Sequence, residues 1–565
     1  MRIKKLLRKS IKLRQAIRNW RLKHIQPRWQ KILARDRDYW NNKKAQKKGK
    51  NILIATSVGA YLPGVITESM LAAALEIRGA NVHILLCDGM LDACLDCGYK
   101  ITETDWTLAE FGPQKNLCGN CCVHTAKMLS ALGVTVYRYS DWLTKDDILR
   151  ADRLAVEVPF EQIAHFTLEG IAIGEHAYSG ALRFYSKGSI DDEPLAEKIV
   201  RRYFRAAVIT ACVMQNLLRA QTYHAAVFHH GIYVPQGIIG EVCRNNRIPV
   251  INWNVAYRKS CFIFSHTDTY HHSLMLEPTQ NWEHLPWNTT LDSALDNYLQ
   301  SRWKGSQDWI WFHERPQFDK DKIASTTGID FSRPCIGMLT NVMWDAQLHY
   351  PANAFPNMRE WVLRTIEYFS TRPELQLIIR IHPAEIWGGN PSRQKIADEI
   401  KKVYDTLPSN IFVILPEADV STYVLMKQCN AIIIYGTKMG VELASMGKPV
   451  IVAGEAWIRN KNITMDALNA EHYFALLDTL PLKNCFSQNA IERARKYAFH
   501  FFFRRMIPLE FMKPIKGWPL FKLDLKSIRQ LEQGNSLGLD IICNGILDGK
   551  EFIYPYETTI DKNSL

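Results

Sequence analysis

Residues 51–89, NILIATSVGAYLPGVITESMLAAALEIRGANVHILLCDG, contain two short apolar runs separated by a loop and a helix-forming segment. The runs at 51–57 and 81–89 are typical of buried parallel strands, and 66–79 predicts a helix that ends at Gly79. Strand, loop, helix and strand make a βαβ unit, which predicts a doubly wound domain. The loop lacks a G-x-G-x-x-G fingerprint, so a dinucleotide cofactor is not indicated.

A second pattern of this kind lies further along the chain, AIIIYGTKMGVELASMGKPVIVAG at 431–454. A strand-like run that ends in polar residues, LQLIIRIHPAE at 375–385, precedes it. Because strands and helices alternate in both regions, the predicted fold class is α/β with two Rossmann-like domains. The predicted limits are a basic amphipathic extension at 1–50, a first domain at 51–312 with a cysteine-rich insertion at 87–122, a second domain at 330–485, and a crossover helix with a tail at 486–565.

The composition is typical of a folded protein. Hydrophobic residues make up 47% of the 565 residues and charged residues 22%, which excludes disorder over most of the chain. We find no apolar run of the roughly 18 residues that a membrane-spanning helix needs. The first 50 residues also lack the continuous apolar segment of a secretory signal peptide. We therefore expect a cytoplasmic protein.

The positive charge is concentrated at the start of the chain. Residues 1–50 contain 19 Lys or Arg and two acidic residues, a net charge of +17, so the body carries −4 of the total of +13. A slightly acidic body argues against a nucleic acid partner. Apolar residues at helical spacing among the basic ones favour a helix that lies on the anionic inner face of the cytoplasmic membrane. A charged helix packed on its own domain, and RNA binding, are the alternatives.

Six of the thirteen cysteines lie between Cys87 and Cys122. Four of them form two C-x2-C pairs that are separated by 20 residues. This spacing is typical of a structural zinc site in which four thiolates complete a tetrahedral shell. An iron–sulfur cluster, and reduced thiols without a metal, are the alternatives. The predicted metal ligands are Cys94, Cys97, Cys118 and Cys121.

The turn after the strand-like run at 431–435 predicts an anion site. A helix that begins near Thr437 exposes unpaired backbone N–H groups and a partial positive charge, which suit a phosphate. The strand-like run at 375–385 also ends in polar residues, Arg380 and His382. Open α/β sheets bind ligands at the carboxyl ends of strands, and such side chains can bind a phosphate oxygen. The alternative is an ordinary βαβ turn with Thr437 as the helix cap. The predicted binding residues are Arg380, His382, Pro383, Tyr435, Gly436, Thr437, Lys438, Gly440 and Glu442.

HPAE at 382–385, the block at 435–454 and EAWIRNKNITMDA at 455–467 resemble bacterial capsule and surface-polysaccharide biosynthesis proteins, which are similar to the Kdo transferases of capsule export. The resemblance implies a GT-B glycosyltransferase. In such an enzyme two Rossmann-like domains face a cleft, the second domain binds the nucleotide-sugar donor, and catalysis needs no metal. By this resemblance the family's donor-site motifs are matched by His382, Pro383, Thr437, Gly440 and Glu442.

The resemblance assigns the acceptor, and a base that activates its hydroxyl, to the first domain. HHG at 229–231 and SHTDTYHH at 265–272 follow strand-like segments and offer candidates, and Glu68 near the start of the first helix is another. For the second group, a surface loop with chance histidines and a metal site are the alternatives. The predicted catalytic residues are Glu68, His230, His266 and Asp268.

The hypothesis is a glycosyltransferase at the inner face of the cytoplasmic membrane. It would transfer a sugar from a CMP- or UDP-linked donor to a surface or capsular polysaccharide, or to a lipid-linked acceptor. A nucleotide-sugar epimerase of the same fold is one alternative. A non-catalytic component of a polysaccharide assembly complex, which binds nucleotide or glycan, is the other.

Overall fold

The structure is a computed structural model that describes residues 11–46, 49–98, 104–113, 117–304, 307–309, 316–348, 350–483 and 487–560. The chain divides into two compact units. Unit 1 comprises 1–185, 189–270 and 505–554, and unit 2 comprises 186–188, 271–504 and 555–565. Each unit contains a largely or wholly parallel sheet with helices, which confirms the predicted α/β class with two Rossmann-like units.

Strands account for two sheets and one hairpin. In chain order they are β1 (Asn51–Ser57), β2 (Asn81–Leu86), β3 (Thr135–Arg138), β4 (Ala225–His229), β5 (Val250–Val255), β6 (Cys261–His266), β7 (Cys335–Leu339), β8 (Gln376–Arg380), β9 (Ile411–Ile414), β10 (Ala431–Ile434), β11 (Val450–Val452), β12 (Met465–Asp466), β13 (Ile507–Pro508), β14 (Met512–Pro514) and β15 (Phe521–Leu523).

Helices connect and cover the strands. In the first half of the chain they are α1 (Ile11–His24), α2 (Trp29–Leu33), α3 (Arg37–Ala45), α4 (Leu62–Ile77), α5 (Asp105–Phe111), α6 (Gly119–Leu132), α7 (Lys145–Glu157), α8 (Phe160–Ile163), α9 (Ile173–Tyr185), α10 (Ala196–Ala220), α11 (Gln236–Asn245) and α12 (Tyr270–Leu276). In the second half they are α13 (Thr289–Lys304), α14 (Lys320–Thr327), α15 (Met358–Ser370), α16 (Ala384–Trp387), α17 (Ile396–Lys401), α18 (Thr422–Lys427), α19 (Met439–Ser445), α20 (Ala470–Asp478), α21 (Gln488–Phe499), α22 (Leu537–Asp548) and α23 (Tyr556–Thr559).

The sheet of unit 1 has the strand order β13-β6-β5-β4-β1-β2-β3. Strands β1 to β5 are parallel, whereas β6 is antiparallel to β5. The chain leaves β1 towards β2 on one side and returns to β4 on the other, so the topological switch point lies between β1 and β4. Helix α4, which is apolar or small at most positions, is buried over its whole length, as its all-round hydrophobicity requires.

The sheet of unit 2 has the order β12-β11-β10-β7-β8-β9, and its strands are all parallel. Its switch point lies between β7 and β10. The core on this sheet includes Trp361, Ile379 and Ile433, which are fully buried. Parallel strands of this kind are buried on both faces, and this is why their sequences are continuous apolar runs rather than alternating ones.

The basic segment at the start of the chain packs on unit 1. Leu22, Trp29 and Trp40 are buried, and the Trp40 indole donates a hydrogen bond to the Leu132 carbonyl at 3.0 Å. From Leu22 onward this segment thus packs on its own domain, as one of the alternatives has it, while residues 1–10 of the predicted extension lie outside the described residues. In the part of the chain that the structure describes, no helix has the length and apolar character that a bilayer crossing requires.

The end of the chain contributes to both units. After α21 a single π-helical turn, His500–Arg504, buries Phe501, Phe502 and Phe503 within unit 2. The chain then enters unit 1, where β13 pairs with β6. Helix α22 packs there as well, and the Arg78 guanidinium lies 2.5 Å from the Asp540 carboxylate.

Candidate functional site

The carboxyl ends of the strands in unit 2 carry the residues predicted to bind a phosphate. Strand order reverses between β7 and β10, and ligands of open α/β sheets bind at such a point. Gly436 and Thr437 follow β10, and His382 follows β8. A Cβ atom on Gly436 would lie 2.9 Å from the Glu455 carbonyl oxygen, so the absence of a side chain lets the two strand ends approach. We call this region the donor edge.

His382 presents a neutral imidazole at the donor edge. Burial lowers its pKa to about 4, and the neighbouring positive charges of Lys438 and Arg380 act in the same direction. Its Nδ1 accepts a hydrogen bond from the backbone N–H of Ala384 at 3.0 Å, which places the ring proton on Nε2. A neutral ring with a proton on Nε2 is a donor suited to a phosphate oxygen.

Glu442 is fully buried, and its carboxylate is shared by three partners. The Tyr423 hydroxyl donates to it at 2.7 Å, Lys438 Nζ lies at 3.2 Å, and Arg302 Nε lies at 3.1 Å. Burial alone would raise the pKa of Glu442, but the charges of Arg302 and Lys438 overcome this and lower it to about 2. With both oxygens engaged, the carboxylate holds Lys438 in place and is not directed at a sugar hydroxyl.

The helix that was predicted to bind a phosphate at its N-terminus is short. Helix α19 begins at Met439 and has seven residues, and Thr437 Oγ1 accepts a hydrogen bond from the Met439 N–H at 3.4 Å. Thr437 therefore has the cap-like contact of the ordinary βαβ turn. The Lys438 side chain, paired with Glu442, supplies a positive charge next to this turn.

Several other predicted residues belong to the framework. The Arg380 guanidinium is buried and donates hydrogen bonds to the carbonyls of Leu415 and Ala418. The Tyr435 hydroxyl donates to the Phe355 carbonyl at 2.8 Å. Gly440 allows close packing, because a Cβ there would lie 2.5 Å from Ile434 Cδ1. Pro383 lies directly before α16.

Sequence reasoning missed three residues around the donor edge, and it placed a fourth, His272, among the candidates of the first domain. Asn341 follows β7, and its Nδ2 lies 4.0 Å from the Cβ position of Gly436. Glu455 follows β11, and the His272 imidazole Nε2 lies 2.8 Å from its Oε2. Arg302 reaches Glu442 from α13. Asn341 and Glu455 directly follow strands, so the tendency of ligands to bind at the carboxyl ends of strands could have identified them. The contacts of His272 and Arg302 join residues more than 100 positions apart, and no local sequence pattern indicates them.

In unit 1, the switch point between β1 and β4 has a strained backbone. Ser57 ends β1 with a φ of 62°, and His230 follows β4 with a φ of 64°. The left-handed region costs a residue with a side chain about 1–3 kcal/mol, and such strain concentrates at functional sites. The His230 ring is half-buried and stacks on Tyr233 with a centroid distance of 5.0 Å.

The neighbouring His229 is buried beside this turn. Its Nε2 lies 2.9 Å from the Tyr61 hydroxyl and 3.2 Å from Asn254 Oδ1. Burial lowers the pKa of His229 to about 3. The ring is therefore neutral near pH 7, and its centroid lies 5.4 Å from that of the His230 ring.

Glu68 lies in the core next to β1. Its Oε1 accepts hydrogen bonds from the Thr56 hydroxyl and, at 2.9 Å, from the Trp253 indole. Burial raises the pKa of Glu68 to about 8, against the opposing effect of these hydrogen bonds. Glu68 is thus mainly a protonated core carboxyl near pH 7.

The structure separates the predicted catalytic residue His266 from His230. His266 ends β6, which is antiparallel to β5, and its register partner is Ile251 near the start of β5. His266 therefore lies at the opposite edge of the sheet from His230, whereas Thr269, next to Asp268, lies 3.4 Å from the Cβ position of Gly231. The His266 ring lies 2.9 Å from the Lys550 carbonyl and stacks on Phe552. The direction of β6 thus separates two of the candidates that the sequence offered, and which of them supplies the base stays a prediction.

The predicted zinc site is not supported. Among the described residues no group of three or more His, Cys, Asp or Glu side chains is arranged to hold a metal ion. Cys94, Cys97, Cys118 and Cys121 are free thiols. A hydrogen bond from the Cys97 thiol, aided by the nearby Arg18 guanidinium, lowers the pKa of Cys94. The metal content of this cluster stays a prediction.

Fold and site together define an α/β protein with two Rossmann-like units, in the second of which His382 and Lys438 lie at the carboxyl ends of the strands. Residues 321–496, which include most of unit 2, match the family model of capsule polysaccharide biosynthesis proteins. This match confirms the resemblance to those proteins that the motifs at 382–385 and 435–467 indicated. Among curated proteins, none matches the chain.

Solved structures with a related arrangement include two classes of enzyme. The beta Kdo 2,4 transferase KpsC of Thermosulfurimonas dismutans is 14% identical, with 48% of this chain and 79% of that chain covered and a TM-score of 0.32. The UDP-GlcNAc 2-epimerase of Neisseria meningitidis, bound to UDP-GlcNAc, is 11% identical, with 79% and 93% covered and a TM-score of 0.24. At these TM-scores neither structure assigns an activity to this chain.

Proposed function

We propose that the protein is a glycosyltransferase that moves a sugar from a nucleotide-sugar donor to a capsular or other surface glycan, or to a lipid-linked acceptor. The observation that carries the proposal is the pairing of His382 and Lys438 at the switch-point edge of unit 2. Both residues lie within the segment that matches the capsule polysaccharide biosynthesis family. A hydrogen bond donor and a cation at this edge suit the phosphate of a nucleotide.

The geometry supports a role in departure of the nucleotide. When the bond between the sugar and the phosphate breaks, negative charge increases on the phosphate oxygen. The Nε2–H of His382 and the ammonium of Lys438 would stabilise that charge, and preorganised donors of this kind lower the barrier most. The Glu442 carboxylate, which is itself fixed by Arg302, holds Lys438 without reorganisation. No metal is required for this step.

Unit 1 would bind the acceptor. The strained turn at Ser57 and His230 lies at the switch point of its sheet, and the ring of His230 is partly accessible. We assign His230 as the base that receives the proton of the acceptor hydroxyl. CMP and UDP are the proposed nucleotides of the donor.

The test is a thermal-shift screen of the full chain against CMP, UDP, GDP, dTDP and ADP. A nucleotide at 100 times its dissociation constant stabilises the folded protein by about 2.7 kcal/mol, which gives a measurable rise in Tm. His382→Asn and Lys438→Met should each reduce the shift, while Lys401→Met, at an exposed position at the end of α17, should not. A flat response of the wild-type protein to every nucleotide would contradict the proposal.

We further propose that unit 1 binds the inner face of the cytoplasmic membrane through the outer face of α1. Trp20 is 58% exposed there, Ile17 is also exposed, and Arg21 and Lys23 lie in the last turn. An exposed indole beside basic side chains suits an anionic lipid surface. Trp20→Ala combined with Arg21→Gln should weaken binding to phosphatidylglycerol vesicles. Equal binding of wild type and variant would exclude α1 as the contact.

A further inference from the structure

The segment from Glu455 to Asp466 holds helix α12 at two points. Near the start of α12, His272 Nε2 lies 2.8 Å from Glu455 Oε2. At its end, Lys461 Nζ donates hydrogen bonds to the carbonyls of Met275 at 2.8 Å and Glu277 at 2.7 Å. Lys461 is 0% exposed, so its ammonium satisfies carbonyls that the end of a helix leaves unpaired.

Glu455 is itself anchored to the donor edge. Its carbonyl oxygen borders Gly436, as described above. Its backbone N–H donates to Asn353 Oδ1 at 2.8 Å, and its Oε1 accepts from the Ala352 N–H at 3.3 Å. The second carboxylate oxygen is the one that faces His272. The carboxylate thus links α12 to the turn at Gly436.

The environment of Glu455 requires a partner for its carboxylate. The Glu455 side chain is 10% exposed, and a carboxylate with so little access to water needs a hydrogen bond or an opposite charge. The His272 imidazole, 2.8 Å away, is that partner. The His272 ring packs edge-on against Tyr350 at 5.1 Å, which restricts its orientation, but it keeps some contact with solvent. An imidazole held in this way can donate a hydrogen bond from a ring N–H to an anion.

We propose that His272 contacts the phosphate of the nucleotide donor, and that Glu455 and Lys461 are positioning residues that hold it at the donor edge. The inference rests on the proposed transferase function and adds a residue outside the family-matched segment. In the reaction, the bond from the anomeric carbon to the phosphate oxygen breaks, and its electron pair goes to that oxygen. The acceptor oxygen forms the new bond, and its proton passes to His230. His272 keeps its proton and stabilises the departing phosphate by a hydrogen bond.

The experiment measures the affinity of the full chain for CMP and UDP and for cytidine and uridine, which lack the phosphate. His272→Gln should weaken binding of the nucleotide roughly tenfold, which corresponds to ~1.4 kcal/mol, and leave binding of the nucleoside unchanged. His284→Gln is the matched control, because that side chain is 83% exposed in the same unit. The control should bind both ligands like the wild type.

The positioning residues are tested by coupling. Glu455→Gln keeps the acceptor for the Ala352 N–H but loses the charge, so it should weaken nucleotide binding as His272→Gln does. The double variant should then lose no more than either single variant, because both changes remove one contact. Lys461→Met should lower nucleotide affinity with nucleoside affinity retained.

Two results separate the two proposals. If wild-type protein binds neither CMP nor UDP in this assay, the transferase proposal fails for these donors, and the role of His272 fails with it. If the wild type binds one of them and His272→Gln binds it equally well, the role of His272 is overturned while the transferase proposal stands. Additive losses in the double variant would overturn the positioning role of Glu455.

Discussion

Arg302 and Glu442 form a buried ion pair in unit 2, with 3.1 Å between Nε and Oε2. Arg302 also pairs with Asp308, and Glu442 with Lys438, so two cations and two carboxylates alternate within the unit. The pairing explains how a lysine is held at the donor edge among apolar residues. It also shows why a carboxylate in a strand–turn–helix motif need not bind a sugar.

We predict that Glu442→Gln lowers the free energy of unfolding by about 3–5 kcal/mol. The substitution leaves the Arg302 guanidinium buried without its full countercharge, and breaking a buried pair costs this much. The measurement is urea unfolding followed by tryptophan fluorescence. Glu360→Gln is the control, because Glu360 and Arg364 form an exposed pair at 3.8 Å that should contribute less than ~1 kcal/mol. Equal losses for the two variants would contradict a special role for the buried pair.

We predict a pH-dependent effect of Glu68→Gln. The folded pKa of Glu68 is raised to about 8, above the value near 4.5 of an unperturbed glutamate. As pH rises from about 4.5 to 8, the carboxyl ionises in the unfolded chain but stays protonated in the folded one, so the wild type loses stability. Glutamine keeps the acceptor for Thr56 and Trp253 and has no proton to lose.

The stability of Glu68→Gln relative to the wild type should therefore increase over this pH range, by at most about 1.4 kcal/mol per pH unit. Urea titrations of both proteins at pH 5, 6, 7 and 8 test this. A constant difference between them would show that Glu68 ionises alike in the folded and unfolded states.

The comparison of sequence and structure shows which features local patterns determine. The run at 51–57 was predicted as a strand, and β1 spans Asn51–Ser57, because a buried parallel strand is recognisable from its own residues. The direction of β6 and the partner of Glu442 were not predictable, since both depend on residues distant in the chain. The zinc prediction relied on spacing alone, and spacing does not fix where thiols point. Membrane contact was predicted for apolar positions that include Ile17 and Trp20, which are exposed, whereas Trp29 and Trp40 further along the segment are buried in protein.

Two tryptophans of the basic segment give opposite predictions. Trp40 is 3% exposed and hydrogen-bonded to Leu132, so Trp40→Ala should lower the free energy of unfolding by about 3–5 kcal/mol. Trp20→Ala should change it by less than about 0.5 kcal/mol, since its ring is largely in solvent. Thermal and urea unfolding of the two variants provide the measurement. A large loss for Trp20, or none for Trp40, would mean that the segment does not pack as described.

His230 and His266 lie at opposite edges of the sheet of unit 1, so we predict that their substitutions affect activity differently. If His230 receives the proton of the acceptor, His230→Asn should slow nucleotide release from the donor, with water as the acceptor, by about 100-fold or more. His266→Asn should stay near the wild-type rate, because its ring contacts Lys550 and Phe552 at the other edge. Both variants should retain nucleotide affinity, since both residues lie in unit 1 and the donor edge lies in unit 2. The test is the rate of nucleotide release from the donor chosen by the thermal-shift screen. If His266→Asn released nucleotide slowly and His230→Asn released it at the wild-type rate, the base would instead be His266. The acceptor site would then lie at the edge of the sheet where β6 ends.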